Sequence, residues 1–224
     1  MVTLILTTMN EIEGLKWLWS RLQTNLFKEV IVVDNHSVDG TLEFLGDKPC
    51  RIITQSIPGR GNGIREAMKY VRDDAVLLMS SDGNDDPAYI PPLIETFKGG
   101  YDLVFGTRFV AGGSTDDSDD PHGLRKFGNK VLTHLVNLAF GAGYTDSTYG
   151  FRIFRKDAWD RMQIDSRWNE TEYLMSIRAA KMRLKVAQIP MIEGRRVGGE
   201  VKAKTFATGL THLKILFREL GWSV

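Results

Sequence analysis

The chain carries a single cysteine, Cys50, so no intramolecular disulfide can form and a reducing compartment is expected. It has no run of eighteen apolar residues, so no transmembrane helix is expected. The opening "MVTLILTTMNE" lacks a basic lead and a small-residue cleavage site, so a signal peptide is not expected either. Together these point to the cytoplasm. There is almost no charge imbalance: formal net charge is +1, which leaves no global field to draw in nucleic acid or a membrane. Any basic patch must be local. Internal repeats and low-complexity linkers are also missing. What remains is an ordinary globular composition, 42% hydrophobic and 25% charged over 224 residues, enough to bury a proper core.

Apolar runs and helical patterns alternate. "VTLILTT" (2–8), "EVIVVD" (29–34), "RIITQ" (51–55), "AVLLMS" (75–80) and "YDLVFGTRF" (101–109) read as buried strands. Between them lie stretches with apolar residues at helical spacing. The pattern predicts an α/β fold, a mostly parallel sheet with helices on both faces. Ligands of such sheets bind beyond the carboxyl ends of the strands, which places Thr7–Glu11, Asp34–Ser37 and Ser80–Asp86 on the expected rim. The second part is less regular. Residues 111–123 hold four aspartates and three glycines with almost no apolar anchor and are expected to be mobile. One domain is predicted, with a nucleotide and metal half (1–110), an acceptor half (111–204) and an amphipathic C-terminal helix (205–224).

The densest polar stretch is "SSDGNDD" (80–86). Asp82 and Asn84, two residues apart just past a strand, can share a divalent ion, since Mg²⁺ and Mn²⁺ suit carboxylate and carbonyl oxygens. The competing reading is a turn, with Asp85 or Asp86 capping the helix that starts at Pro87. Asp34 ends a strand, where an acid can accept from a ribose or base, or form an Asx turn. The "PGRGNG" segment around Arg60 allows close approach of a ligand or merely turns the chain. Arg108, Arg125, Arg152 and the Arg195–Lys202 loop are phosphate-binding candidates only if they converge, which spacing cannot show.

Four blocks in order, "TTMNE", "VDNHSVDGT", "SSDGNDDPAYIP" and "DSTYGFRIF", with "GTRF" between the last two, resemble family-two glycosyltransferases. The likeness is to the dolichyl-phosphate mannose synthase-like, polyprenyl-phosphate group and covers about residues 2–204. It implies a GT-A fold, a nucleoside-diphosphate sugar donor (UDP- or GDP-linked), Mg²⁺ or Mn²⁺, and inversion at the anomeric carbon. By position it implies metal ligation by Asp82 and Asn84, with Asp82 also catalytic. It matches Glu11 and Asp34 to nucleoside contacts, Arg108, Arg152 and Arg196 to basic positions near the phosphates or acceptor, and Lys202 to the end of a late basic loop. The residues expected at the donor are thus Thr7, Glu11, Asp34, Arg60, Ser81 and Arg108, those at the acceptor or phosphates Arg125, Arg196 and Lys202, and those in catalysis Asp82, Arg152 and Glu172. The chain departs from the pattern at Thr7 and Met9, where the family usually has proline and tyrosine. It departs again at Ser80, where the metal motif usually has its first aspartate.

The resemblance and the arginines favour a lipid-phosphate acceptor, already ionised and needing no base. A hydroxyl acceptor would need one, for which Glu172 and Asp146 are the candidates. A hydroxyl-specific transferase and a non-catalytic sugar-nucleotide-binding module are the alternatives; a nucleotidyltransferase is disfavoured because "TTMNEIEG" is not a phosphate loop. In the last helix Phe206, Leu210, Leu213, Leu216, Phe217 and Leu220 share a broad face. That face is expected to pack on the domain or a second subunit, or else to touch a membrane surface.

Overall fold

The computed structural model describes residues 1–115, 120, 122–200 and 205–221. Strands β1 (Val2–Thr8), β2 (Glu29–Asp34), β3 (Arg51–Thr54), β4 (Ala75–Ser80), β5 (Leu103–Thr107), β7 (Arg152–Arg155) and β8 (Val186–Pro190) form one sheet. Its order is β3-β2-β1-β4-β7-β5-β8. A two-stranded ribbon pairs β6 (Ser114–Thr115) with β9 (Ile192–Glu193). The helices are α1 (Ile12–Trp19), α2 (Thr41–Gly46), α3 (Arg60–Met68), α4 (Ile90–Lys98), α5 (Leu124–Phe140), α6 (Lys156–Met162), α7 (Thr171–Lys181) and α8 (Thr205–Gly221).

The inner strands β1, β2, β4 and β5 are buried along nearly their whole length because both faces are covered. Ile5, Ile31, Val33 and Leu78 join a core with Ile64 of α3, Leu132 of α5, Leu174 of α7 and Leu216 of α8. Their strand neighbours Leu4, Leu6, Val32 and Leu77 point the other way, into a second core with Leu15 of α1, Leu45 of α2 and Leu93 of α4. Parallel register levels the strand ends: Thr8 lies beside Asp34, and Thr7 beside Ser80. This row of carboxyl ends is the floor of the site.

Two features differ from the sequence reading. β7 runs antiparallel between β4 and β5, with Arg152 opposite Leu78 and Phe105. Four residues are too few for orientation to leave a trace in the hydrophobic pattern. The α8 face is also split. His212, Ile215, Leu216 and Glu219 pack inward, while Phe206, Leu210, Phe217 and Leu220 are exposed. Glu219 gains its buried place by pairing with Arg178 at 2.8 Å and Arg218 at 3.0 Å, a partnership 41 residues away in the first case. Charges that are paired and hydrogen-bonded can be buried where an isolated one cannot.

Candidate active site

A cleft of about 640 Å³ lies over the strand ends, walled by Thr7, Glu11, Gln55, Arg60, Asp82 and Glu172, among others. A smaller chamber of about 220 Å³ lies between α5 and α8. Ser80, Asp82, Arg125, Thr148, Gly150 and Asn169 line both, so the two cavities meet at Asp82.

Backbone geometry sets up this junction. Gly14 packs α1 against the turn after β4; a β-carbon there would collide with the Ser81 carbonyl and the Asp82 backbone. That contact holds Glu11, just ahead of α1, beside the turn. Gly83 takes φ +84°, a left-handed conformation natural to glycine, between Asp82 and Asn84. Asp82 Oδ1 accepts from the Asn84 backbone N–H at 3.2 Å, and Asp86 caps the next helical turn by accepting from the Ala88 N–H at 2.9 Å. So the cap falls to Asp86, and Asp82 and Asn84 remain at the cavity wall.

The sequence candidates divide into three groups. Thr7, Glu11, Arg60, Ser81, Asp82, Arg125, Glu172 and Arg196 do come together around the cleft. Arg196 spans two of them, reaching Glu11 Oε1 at 2.9 Å and Asp82 Oδ2 at 3.1 Å. Arg60 donates to Thr7 Oγ1 at 3.2 Å and pairs with Glu172. Ser81 Oγ donates to the Thr7 carbonyl at 2.8 Å, tying β4 to β1.

A second group lies behind the walls. Arg152 is fully buried and lines neither cavity. It donates to the Glu172 carbonyl at 2.9 Å and to the Tyr149 carbonyl, and its guanidinium stacks 5.2 Å from the Phe105 ring. Burial pushes its pKa down to about 10, still cationic at neutral pH. The catalytic role expected for Arg152 gains no support from this geometry, in which the side chain fastens the Tyr149–Gly150 turn to α7. Arg108 likewise misses the donor cleft. It borders the small chamber and is bound by Asp146 at 2.7 Å and Glu193 at 3.0 Å. Burial alone would lower its pKa; those two carboxylates more than reverse the effect. Asp146, one of the two base candidates, is consumed by this pair. Asp34 is buried at the end of β2; its Oδ2 accepts from the Ser37 N–H at 3.0 Å. Its Oδ1 has no partner among the described residues, nor does Gln55 Nε2, one residue past β3. The third group is Lys202 alone, which lies outside the described residues, as do parts of the 111–123 loop.

Several wall residues gave no sequence signal. Gln55 sits one residue past a strand, Trp168 and Asn169 lie in a loop, and Tyr149 donates to Asp85 Oδ1 at 2.7 Å. Asp85 also accepts from the Ser80 N–H at 3.2 Å. Burial first, then the Asp82 charge, raises its pKa to about 7.

Among the described residues no group of three or more His, Cys, Asp or Glu side chains is placed to hold a metal. The oxygen pair Asp82 and Asn84 nevertheless suits a hard cation. Asn84 Oδ1 is buried without a partner among the described residues, and the Asp82 carboxylate borders both cavities. Two protein oxygens suit an ion that takes the rest of its shell from phosphate and water.

The family model for Glycosyl transferase family 2 matches residues 3–162. The chain belongs to this family. Within glycosyltransferase family 2, the dolichol-phosphate mannosyltransferase of Pyrococcus furiosus is 29% identical, covering 99% of this chain and 64% of that protein. The undecaprenyl-phosphate mannosyltransferase of Micrococcus luteus is 27% identical, covering 90% of this chain and 86% of that one. Three of the curated relatives are spanned over only 52%, 61% and 64% of their length. Among solved structures, glucosyl-3-phosphoglycerate synthase from Mycobacterium tuberculosis, crystallised with Mn²⁺, UDP and phosphoglyceric acid, superposes with a TM-score of 0.77. It is 16% identical and covers 100% of this chain and 79% of its own. The fold is GT-A, as the family resemblance implied.

Proposed function

We propose that the chain moves a sugar from a nucleoside-diphosphate sugar to a polyprenyl phosphate with inversion. The observation that carries the choice of acceptor is the state of the buried carboxylates around the two cavities. Glu172 pairs with Arg60, Asp146 and Glu193 with Arg108, and Asp85 accepts from Tyr149 and Ser80. A carboxylate so engaged is poorly placed to take a proton from a hydroxyl. A phosphate monoester arrives already ionised and needs no base. The names of the Pyrococcus and Micrococcus relatives support the same class of acceptor.

In this reading an acceptor phosphate oxygen attacks the anomeric carbon from the small chamber. The bond to the donor's diphosphate oxygen breaks, and its electron pair leaves with the nucleoside diphosphate. Arg60 and Arg196 counter the charge that builds on the leaving group, and Arg125, at the junction of the cavities, orients the incoming phosphate. The unpartnered Asp34 Oδ1 and Gln55 Nε2 offer an acceptor and a donor to a nucleobase, UDP- or GDP-linked. Thr7, Glu11 and Ser81 shape the floor. Arg108 and Arg152 hold the loop that carries Thr148 and Gly150, and Arg152 ties it to α7 at Glu172. Asp82 and Asn84 would hold Mg²⁺ or Mn²⁺, a Lewis acid that shares the diphosphate's charge when bound. Peripheral membrane contact through residues 205–221 belongs to the same reading.

A thermal-shift panel of UDP-, GDP- and dTDP-sugars with and without Mn²⁺ tests it. A donor at a hundred times its Kd stabilises by about 2.7 kcal/mol, or about 5–10 °C in Tm for a chain of this size. One sugar nucleotide raising Tm only with Mn²⁺, in the wild type and not in Asp82→Ala, is the expected result. No donor shifting Tm under any condition contradicts the proposal.

A further inference from the structure

We propose that the indole of Trp168 is the surface on which the donor's nucleobase stacks. The proposal rests on the sugar-nucleotide reading above and adds which side chain meets the aromatic part of that donor.

Trp168 borders the large cleft and is 57% exposed. Among the described residues of that wall only one other large apolar side chain is left in water, Met9 at 37%. A tryptophan on a loose loop folds back onto the surface beside it. Trp168 has no such freedom, because its loop is fixed on both sides. The buried Glu170 carboxylate accepts from the Arg167 N–H at 2.8 Å and the Trp168 N–H at 3.1 Å. The Arg167 and Trp168 carbonyls accept in turn from the Asn62 and Gly61 N–H groups, in the first turn of α3, at 3.1 and 2.9 Å. The ring itself lies over Gly59. A β-carbon there would come within 3.2 Å of the indole and would run into the Arg167 carbonyl. Glycine at 59 therefore clears the seat of the ring.

A fixed loop has already lost its chain entropy in the free protein. A flat ligand laid on the indole then covers apolar surface without ordering the backbone beneath it. Every nucleobase offers such a face, and base–aromatic stacking is favourable whichever base is present.

Position assigns the ring to the base. The two cavities meet at Ser80, Asp82 and Gly150, past the end of β4, so the transferred sugar belongs at that end. Trp168 instead sits on the segment that leads from β3 into α3. In the sheet, β3 and β4 are three strand spacings apart, roughly 14 Å. Arg60 and Arg196, proposed to meet the diphosphate, border the same cleft. The unpartnered atoms of Asp34 and Gln55 also lie at the ends of β2 and β3. Polar atoms for the edge of a base and an aromatic surface for its face thus gather at one end of the cleft.

The test is calorimetric binding of UMP, GMP and a hexose 1-phosphate to the wild type, Trp168→Ala, Trp168→Leu and Trp168→Phe, with tryptophan emission followed in parallel. A nucleotide should quench part of the emission in the wild type, and Trp168→Ala should lose that change. Trp168→Ala should bind the nucleotide about tenfold or more weakly at unchanged Tm. Trp168→Phe should recover most of the affinity. Trp168→Leu keeps apolar bulk over Gly59 without an aromatic face, so it should bind as weakly as Trp168→Ala; recovery in Trp168→Leu would make the ring a packing element and overturn the proposal. Equal nucleotide affinity in the wild type and Trp168→Ala overturns it and leaves the donor reading standing. A loss confined to the hexose phosphate also overturns it and makes the ring a sugar platform. Nucleotide binding that depends on Trp168, with no sugar released or transferred from any sugar nucleotide, refutes the donor reading and leaves the stacking surface standing. No binding of either nucleotide overturns both.

Discussion

Replacing Arg196 with alanine should make the protein bind Mn²⁺ more tightly in the absence of nucleotide. The guanidinium holds Asp82 Oδ2 at 3.1 Å and Glu11 Oε1 at 2.9 Å, so a divalent ion approaching Asp82 must break or share that contact. A hydrogen bond between charged groups contributes about 1.5–3 kcal/mol. The side chains of Arg196 and Asp82 are 14% and 17% exposed, so solvent screens part of this and about 1–2 kcal/mol is a fair figure. Tenfold in affinity is about 1.4 kcal/mol, so Mn²⁺ alone should bind roughly 5–30-fold more tightly to Arg196→Ala. Donor binding with Mn²⁺ should move the other way by a similar factor, because the same guanidinium is proposed to meet the diphosphate. Leaving Glu11 without it should also lower Tm by several degrees. Calorimetric titration of Mn²⁺ into both proteins, with and without UDP, reads all of this. Mn²⁺ affinity that is unchanged or weaker in the variant would refute the placement of the ion at Asp82.

Glu172→Gln removes the charge that pairs with Arg60; it should cost about 1–3 kcal/mol by urea unfolding and lower kcat less than tenfold with an unshifted pH profile. A loss of a thousandfold with one limb of the pH profile gone would instead make Glu172 the base. Asp85 has a pKa raised to about 7 by burial, so its folded form holds a proton that the unfolded chain releases near pH 4. That contribution is fully present below about pH 4 and is lost as pH rises through 7, by up to about 4 kcal/mol. Unfolding free energies at pH 5 and pH 8 should therefore differ more in the wild type than in Asp85→Asn; equal differences would refute the assignment. Asp82→Ala should abolish Mn²⁺-dependent donor binding, and Asn84→Ala should weaken it less, since an amide dipole holds a cation less strongly than a carboxylate. Calorimetry of the two variants ranks them.

The strands and the rim were legible because both carry local signals. Runs such as "VTLILTT" and "AVLLMS" are apolar along their length only when both faces of a sheet are covered, and polar residues gather where each run stops. The cluster Thr7, Glu11, Arg60, Ser81 and Asp82 follows from that topology together with the family blocks. The burial of Arg152 and Arg108 was not legible for one reason: an arginine in the sequence carries no mark of it. Arg108 is buried because Asp146 and Glu193, 38 and 85 residues away, neutralise it, and only the fold brings them together. The inward turn of Glu219 has the same origin. Gln55 and Trp168 went unseen because their only distinction is the cavity they border. The two-residue strands β6 and β9 are too short to carry any period.

The most direct test of the central claim is transfer itself. The full chain is incubated with Mn²⁺, a polyprenyl phosphate and each radiolabelled UDP- or GDP-sugar in turn, and the lipid phase is extracted. One donor should deliver label to an acid-labile, phosphate-linked lipid whose anomeric configuration, read by NMR, is opposite to that of the donor. Label that never enters the lipid phase with any donor, or a product that keeps the donor's configuration, would contradict the account.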